Sequence, residues 1–369
     1  MIRTIQLNHR PVGLRDQAGE VVSQAFAMSR DEPQFNHWKH QLLTLVAEAV
    51  PNAEEREALR SMIVVVNPNL ETLCYMHDLG VSVEGRVKRV GAPVELGQPA
   101  TLDDLATLRN AILVHGDEGV IDVPLNCGVG LLLGHGESSS VYFDLTPLNP
   151  NGANRVEEFG RTLDRVVNQL VFHERYPITA EQWDRIITWG WFPFTGLSHA
   201  DRLALIDAAN SEDKPEELLD QIAGHFLGDL EARVREWMDT ALLRPHGAFL
   251  ERAVGRFRDG DYLSSIALMI TRIEGVMRGR FLQKRLDGTP SQGSMSDTLI
   301  EDEPVYSGLL PTEFRRFLMR CFFQNFNERE GHVPLSRHTV SHGIARAEDF
   351  NRAAAAISFM TIDQIRHYL

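Results

Sequence analysis

Near residue 150 the spacing of apolar residues changes from a mixture of two and about 3.6 to about 3.6 alone, so the two sides of the chain must fold differently. Upstream, Met62 to Val66 is a short β-branched run and Val120 to Leu125 alternates. Ser140 to Leu145 sets Val141, Phe143 and Leu145 on one face, with Tyr142 and Asp144 on the other. Helical spacing predicts helices over His37 to Val50 and Leu102 to Leu113, the second opened by Thr101 with Asp104 three residues on. The run Pro147 to Arg155 then gathers Pro, Gly and Asn as a boundary.

Beyond it strand patterns disappear. Val156, Phe159, Leu163, Val166, Val167, Leu170 and Val171 recur at helical spacing, Ser198 is placed to cap a helix, and Pro215 to open another. Tyr262, Ile266, Met269, Ile270, Ile273 and Met277 form one stripe between Asp261 and Phe281. Phe314, Phe317, Leu318, Cys321 and Phe322 form a second between Pro311 and Phe326. Glu348 to Leu369 is apolar around much of its circumference, which requires cover on several sides, supplied by residues 156–250. Asp287 to Gly308, rich in Ser, Gly and acids, reads as an exposed loop. The expected fold is α+β overall: a mixed α/β domain over 1–150, a helical intermediate region over 151–250, and an all-helical bundle over 251–369.

Charge narrows the function classes. A net of −14 argues against a whole chain that coats nucleic acid. The excess is uneven: residues 251–369 hold 16 basic and 15 acidic side chains, so the last third tolerates a polyanion while the acidic remainder suits a protein partner. Lysine stands only at Lys39, Lys88, Lys214 and Lys284, and the other basic residues are arginine. Guanidinium suits phosphate, and abundant Arg, Ala and Gly is also what GC-rich codons produce. Cys74, Cys127 and Cys321 are odd in number and far apart, which fits a reducing cytoplasm better than a disulfide framework. No apolar run approaches the ~20 residues of a membrane span, so no membrane partner is expected.

Several familiar motifs fail on mechanism. Gly128-Val-Gly-Leu-Leu-Leu-Gly134 resembles a dinucleotide-binding turn, but too few residues separate it from the next strand to house the helix that would face a pyrophosphate. A glycine-rich hairpin is the better reading. Walker, nucleophile-elbow and His-Glu-x-x-His motifs are missing from the sequence. His338 and His342 share a helix face at i, i+4, yet no third ligand stands at a known spacing, so neither a metal nor a cofactor is expected.

One constellation remains. Arginine followed by histidine after four to six intervening residues occurs four times, as Arg3/His9, Arg30/His37, Arg109/His115 and Arg337/His342, and about four are expected by chance. Setting separates them. Arg337 and His342 lie in Pro334-Leu-Ser-Arg-His-Thr-Val-Ser-His-Gly343, between two strongly apolar helices, after a proline and before a glycine cap. This run, the preceding Ile273-Glu-Gly-Val-Met-Arg278 and the closing helix ending Ile-Asp-Gln-Ile-Arg-His-Tyr-Leu369 resemble the HEPN superfamily, all-helical modules many of which are metal-independent ribonucleases. The resemblance covers Asp261 to Leu369, under a third of the chain. Where the family often has Asn after the arginine, this chain has His338. Arg109-Asn-Ala-Ile-Leu-Val-His115-Gly keeps that Asn but is followed by a strand pattern, which makes it the runner-up.

The resemblance implies that Arg337 and His342 are catalytic, with His338, Glu274 and Ser341 in support, and that RNA is the substrate. An imidazole suits deprotonation of a 2′-OH or protonation of the leaving 5′-oxygen, and an arginine suits charge growing on phosphorus. Five residue steps on an ideal helix leave Arg337 and His342 ~140° apart, so either the helix end unwinds near Gly343 or a homodimer brings two motifs together. The competing reading is an inactive dimerisation or RNA/nucleotide-binding module coupled to the acidic part. In it Arg337 pairs with a bundle carboxylate such as Glu274, and His342 caps a helix end.

Overall fold

A computed structural model of the chain describes residues 2–8, 24–27, 33–88, 104–124, 127–135, 138–144, 155–168, 170–171, 178–285, 288–303, 307–324 and 335–369. The chain is α+β, with antiparallel sheets in its N-terminal region and, among the described residues, only helices over its last ~180. Two compact units divide it, one formed by Met1–Gly85 with Leu108–Arg175 and the other by Arg86–Thr107 with Tyr176–Leu369.

In the first unit β1 (Ile2–Gln6), β2 (Gln24–Ala27), β3 (Met62–Val66), β4 (Glu71–Met76), β8 (Gly128–His135) and β9 (Ser138–Asp144) form a six-stranded sheet in the order β1-β4-β3-β8-β9-β2. Every residue of β3 is buried, as its interior place demands. Met62, Val64 and Val66 pack with Phe35, Leu42 and Val46 from α1 (Pro33–Leu45) and the turn that follows it. A short α2 (Ala53–Ala58) follows, capped by Asn52. The glycine-rich run is a hairpin strand: β8 pairs with β9 from Val129↔Asp144 to His135↔Ser138. Gly134 is required there by contact, because a Cβ would lie 2.9 Å from the Arg60 carbonyl oxygen.

The helix expected over Leu102 to Leu113 is a strand. β6 (Leu105–His115) joins β5 (Leu79–Val87) and β7 (Gly119–Val120) in a second sheet, ordered β5-β6-β7. Ala111, Leu113 and His115 are buried while Ile112 between them is exposed, a period of two that the i, i+3 and i+4 matches of the same residues obscured. Asn110 has a φ of +52°, interrupting the strand. α3 (Arg155–Asn168) satisfies the backbone around that break: Asn168 accepts from the Leu108 N–H and donates to its carbonyl, and Asp164 accepts from the Ala111 N–H at 2.6 Å. The strand expected over Val120 to Leu125 reduces to β7, which ends at Val120, and only the Ile121 N–H continues the pairing, to the Leu113 carbonyl at 2.9 Å. Thr101, Leu102, Leu125, Leu145 and most of the boundary run Pro147 to Arg155 lie outside the described residues.

The second unit is built on α4 (Ala180–Thr188), α5 (His199–Ala208), α6 (Glu216–Gly228), α7 (Leu230–Asp239), α8 (Gly247–Arg258), α9 (Tyr262–Lys284), α10 (Gln292–Ile300), α11 (Pro311–Phe317), α12 (Arg337–Ser341) and α13 (Arg352–Arg366). Ser198 caps α5 and Pro215 occupies the N-cap of α6, as their positions in the sequence suggest. α11 continues into one π turn, Leu318–Phe322. α9 packs on α8, α10 and α13, and α13 packs also on α6 and α7, so the closing helix does take its cover from upstream helices. Residues of both the intermediate region and the bundle share a single core. The expected exposed loop over Asp287 to Gly308 holds α10, capped by Ser291, whose Met295 and Leu299 are buried; with Ile300 they are its three apolar residues, too few among hydroxyls to advertise a helix.

Polar residues on α13 tie this unit together. Asp363, fully buried, accepts from Arg233 Nη1 at 2.9 Å and from the Trp237 indole at 2.8 Å. Arg366 pairs with Glu236 and donates to the Lys88 carbonyl. A Cβ on Gly196 would lie 2.6 Å from Asp363 Oδ2, so glycine alone fits against this cluster.

Beside it, burial first and then the positive charge of Arg366 push His367 down to about 3, against the opposing pull of Asp363. A histidine held neutral in the fold stabilises it fully above the ordinary value near 6.5, and that stability drains as pH falls toward 3. Unfolding free energy is therefore expected to drop by about 2 kcal/mol between pH 6.5 and pH 5. Denaturant melts of a His367→Asn variant should show a flatter profile over that range; an unchanged slope would assign the effect to other groups.

Candidate active site

α12 is a helix of five residues with both ends defined by sequence. At its start Ser336 Oγ accepts from the Thr339 N–H, while Thr339 Oγ1 accepts from the Ser336 N–H at 2.8 Å. At its end His342 is the C-cap and Gly343 takes a φ of +69°. The Ile344 N–H reaches back to the Thr339 carbonyl at 2.8 Å. These two caps present Arg337 on the first turn and His342 at the last.

Arg337 is held as a fork. Its Nε donates to Glu274 Oε2 at 2.6 Å and one Nη to Oε1 at 3.3 Å, joining α12 to the middle of α9. Arg278, one turn along α9, donates to the same carboxylate at 3.2 Å. Burial raises the affinity of Glu274 for a proton, but the hydrogen bonds and charges of Arg337 and then Arg278 outweigh it and hold the carboxyl below its ordinary range. The trio carries a net charge of +1, and the second Nη of Arg337 stays outside the fork.

The histidines form a second group. The rings of His338 and His342 lie nearly parallel with centroids 6.0 Å apart, and the Gln292 side-chain amide donates to Nε2 of His338 at 2.5 Å. Partial burial first, then the Arg337 guanidinium, push His338 below the ordinary imidazole value against the opposing pull of Glu274, which favours its neutral form. His342 and Ser341 are exposed, whereas Arg337 and His338 are half-buried. The structure thus brings Arg337 to Glu274 and His342 to His338, as two adjoining groups. Among the described residues no three His, Cys, Asp or Glu side chains are arranged to hold a metal.

Two members escaped the reading of the sequence as site residues. Arg278 carries a readable signal, since it stands four residues after Glu274 on one helix. Gln292 carries none, because it opens a helix that reads as loop.

The runner-up pair sits in a different setting. Arg109 and His115 both lie on β6, and His115 is buried edge-on against Tyr75 with its Nδ1 accepting from the Asp117 N–H. A buried acceptor inside a sheet is poorly placed to meet a polymer. Of the other two pairs, His9 and Arg30 lie outside the described residues. No protein-family model, curated protein or solved structure matches this chain.

Proposed function

We propose that the chain is a metal-independent endoribonuclease of HEPN type, acting through Arg337 and His342 in the cytoplasm. The supporting observation is the pairing of a net-positive Arg337–Glu274–Arg278 cluster with an exposed imidazole on one short, doubly capped helix. Glu274 fixes the guanidinium plane, and the donors it leaves over face the charge that grows on phosphorus as a 2′-oxygen attacks. His342 moves the proton, either from the 2′-OH or to the departing 5′-oxygen. Because Arg337 and His342 occupy separate groups within one chain, the second imidazole is supplied by a symmetry-related copy in a homodimer.

The test is product chemistry. Cleavage persists in EDTA, requires the 2′-OH, and leaves a 2′,3′-cyclic phosphate with a 5′-hydroxyl. Sedimentation at micromolar concentration gives a dimer, and a monomer of full activity defeats the in-trans arrangement. A second reading rests on the same Arg337–Glu274 fork: as a structural fastening of α12 to α9 it suits an inactive RNA- or nucleotide-binding module, with the acidic part of the chain contacting a protein. Purified protein that binds RNA but never cleaves it selects that reading.

A further inference from the structure

The outward face of the α8–α9 pair holds an aromatic ring among arginines that the motif does not use. Phe249 on α8 is 46% exposed, and the Arg272 guanidinium from α9 lies 4.3 Å from its ring centroid. On α8, Arg252 and Arg256 fall within about 60° of Phe249 around the helix axis, whereas Glu251 points about 160° away. Of the acids nearby, Asp261 lies 3.8 Å from Arg256 and Glu274 is occupied by Arg337 and Arg278.

α9 links this face to the motif. Arg272 and Glu274 project from nearly opposite sides of the helix, so Phe249 and Arg337 flank it. The arc between them carries exposed Arg278 and Thr271 and then Gly275, where a Cβ would lie 3.2 Å from His246 Cε1. The His246 ring rests against that bare position, so the open part of the arc is its Thr271–Arg278 side.

We infer that this face is a subsite for single-stranded RNA, in which an unpaired base stacks on Phe249 and its phosphates run past Arg272 and Arg278 toward Arg337. The inference rests on the ribonuclease reading for its direction along α9. Stacking explains why one large ring stays exposed among guanidiniums, since every base has a π face and its phosphates match the arginines. A duplex, whose bases are paired and stacked internally, cannot use the ring.

Full-length His342→Ala protein, which should bind without cutting, tests this by anisotropy with an unstructured RNA of roughly 12 nucleotides and a duplex of equal length. Adding Phe249→Ala weakens single-strand binding roughly 5- to 150-fold and leaves duplex binding unchanged, while Phe249→Trp restores it. Adding Arg272→Gln lowers the salt slope for the single strand by about 0.7. Equal losses on both RNAs, no loss, or no single-strand binding at all overturns the subsite. So does a Phe249→Ala protein that sediments lighter than its parent, which assigns the ring to contact with a second copy. Phe249-dependent binding without cleavage by the unsubstituted protein defeats the ribonuclease reading and leaves the subsite standing; cleavage indifferent to Phe249→Ala does the reverse.

Discussion

His342→Ala is expected to lower RNA cleavage about 10²- to 10⁴-fold, the usual loss when one general acid or base is removed. Its melting temperature should stay within a degree or two, because His342 is exposed at the end of a short helix. Arg337→Ala should fall comparably. His338→Ala should fall less, since that ring touches His342 and Gln292 and is itself half-buried. The control is Arg109→Ala with His115→Ala. Removing buried His115 disturbs the first unit but should leave cleavage per folded molecule intact. If the β6 pair abolishes cleavage and the α12 pair does not, the site has been assigned to the wrong motif.

The largest effect on stability is expected at Asp363. Its carboxylate is fully buried and meets Arg233, Trp237 and, at 3.6 Å, Arg366, so Asp363→Ala takes from the core the carboxylate that faces Arg233, while Arg366 keeps its pair with Glu236. Breaking a buried pair from one side costs about 3–5 kcal/mol, or roughly 6–20 °C in melting temperature for a unit of this size. The sign with pH follows. Burial alone would raise this carboxyl, but Arg233 and then Arg366 hold it below its ordinary range. Its contribution is therefore complete above the ordinary carboxylate value and is lost as pH falls through the lowered one. Pairing Asp363→Ala with Arg233→Met should recover part of the loss, since the stranded charge is then gone. A single variant that melts within 2 °C of the parent would show that water reaches the cluster and solvates it.

The parts of the fold that the sequence made legible are those whose burial pattern has one period. α9 shows an unbroken stripe from Tyr262 to Met277, and α13 is apolar around most of its turn and buried almost all round. The β8–β9 hairpin follows from the shortage of residues after Gly134. β6 was misread because Leu105, Leu108, Ile112 and Leu113 satisfy helical spacing, while its true period of two is broken at Asn110. α10 was misread because its buried side is Met295, Ser296, Thr298 and Leu299, half of it hydroxyl. At the site, the Arg337–Glu274 pair spans 63 residues of sequence, a separation that no spacing rule reports. It was accessible only by asking which acid on the longest helix a bundle would turn toward α12. Gln292 was lost with the helix that carries it.

α13 is also the last element of the second unit to leave the ribosome, and it carries the groups that the rest of the unit waits for. The Thr195 N–H meets Gln364, Arg233 and Trp237 meet Asp363, the Leu309 carbonyl meets Gln364 and Tyr368, and the Lys88 carbonyl meets Arg366. Partners made between 55 and 278 residues earlier stay unmatched until this segment is made. The nascent unit consequently closes in a single late event, and an Arg337–His342 motif already synthesised has no finished scaffold until residue 368 has been added.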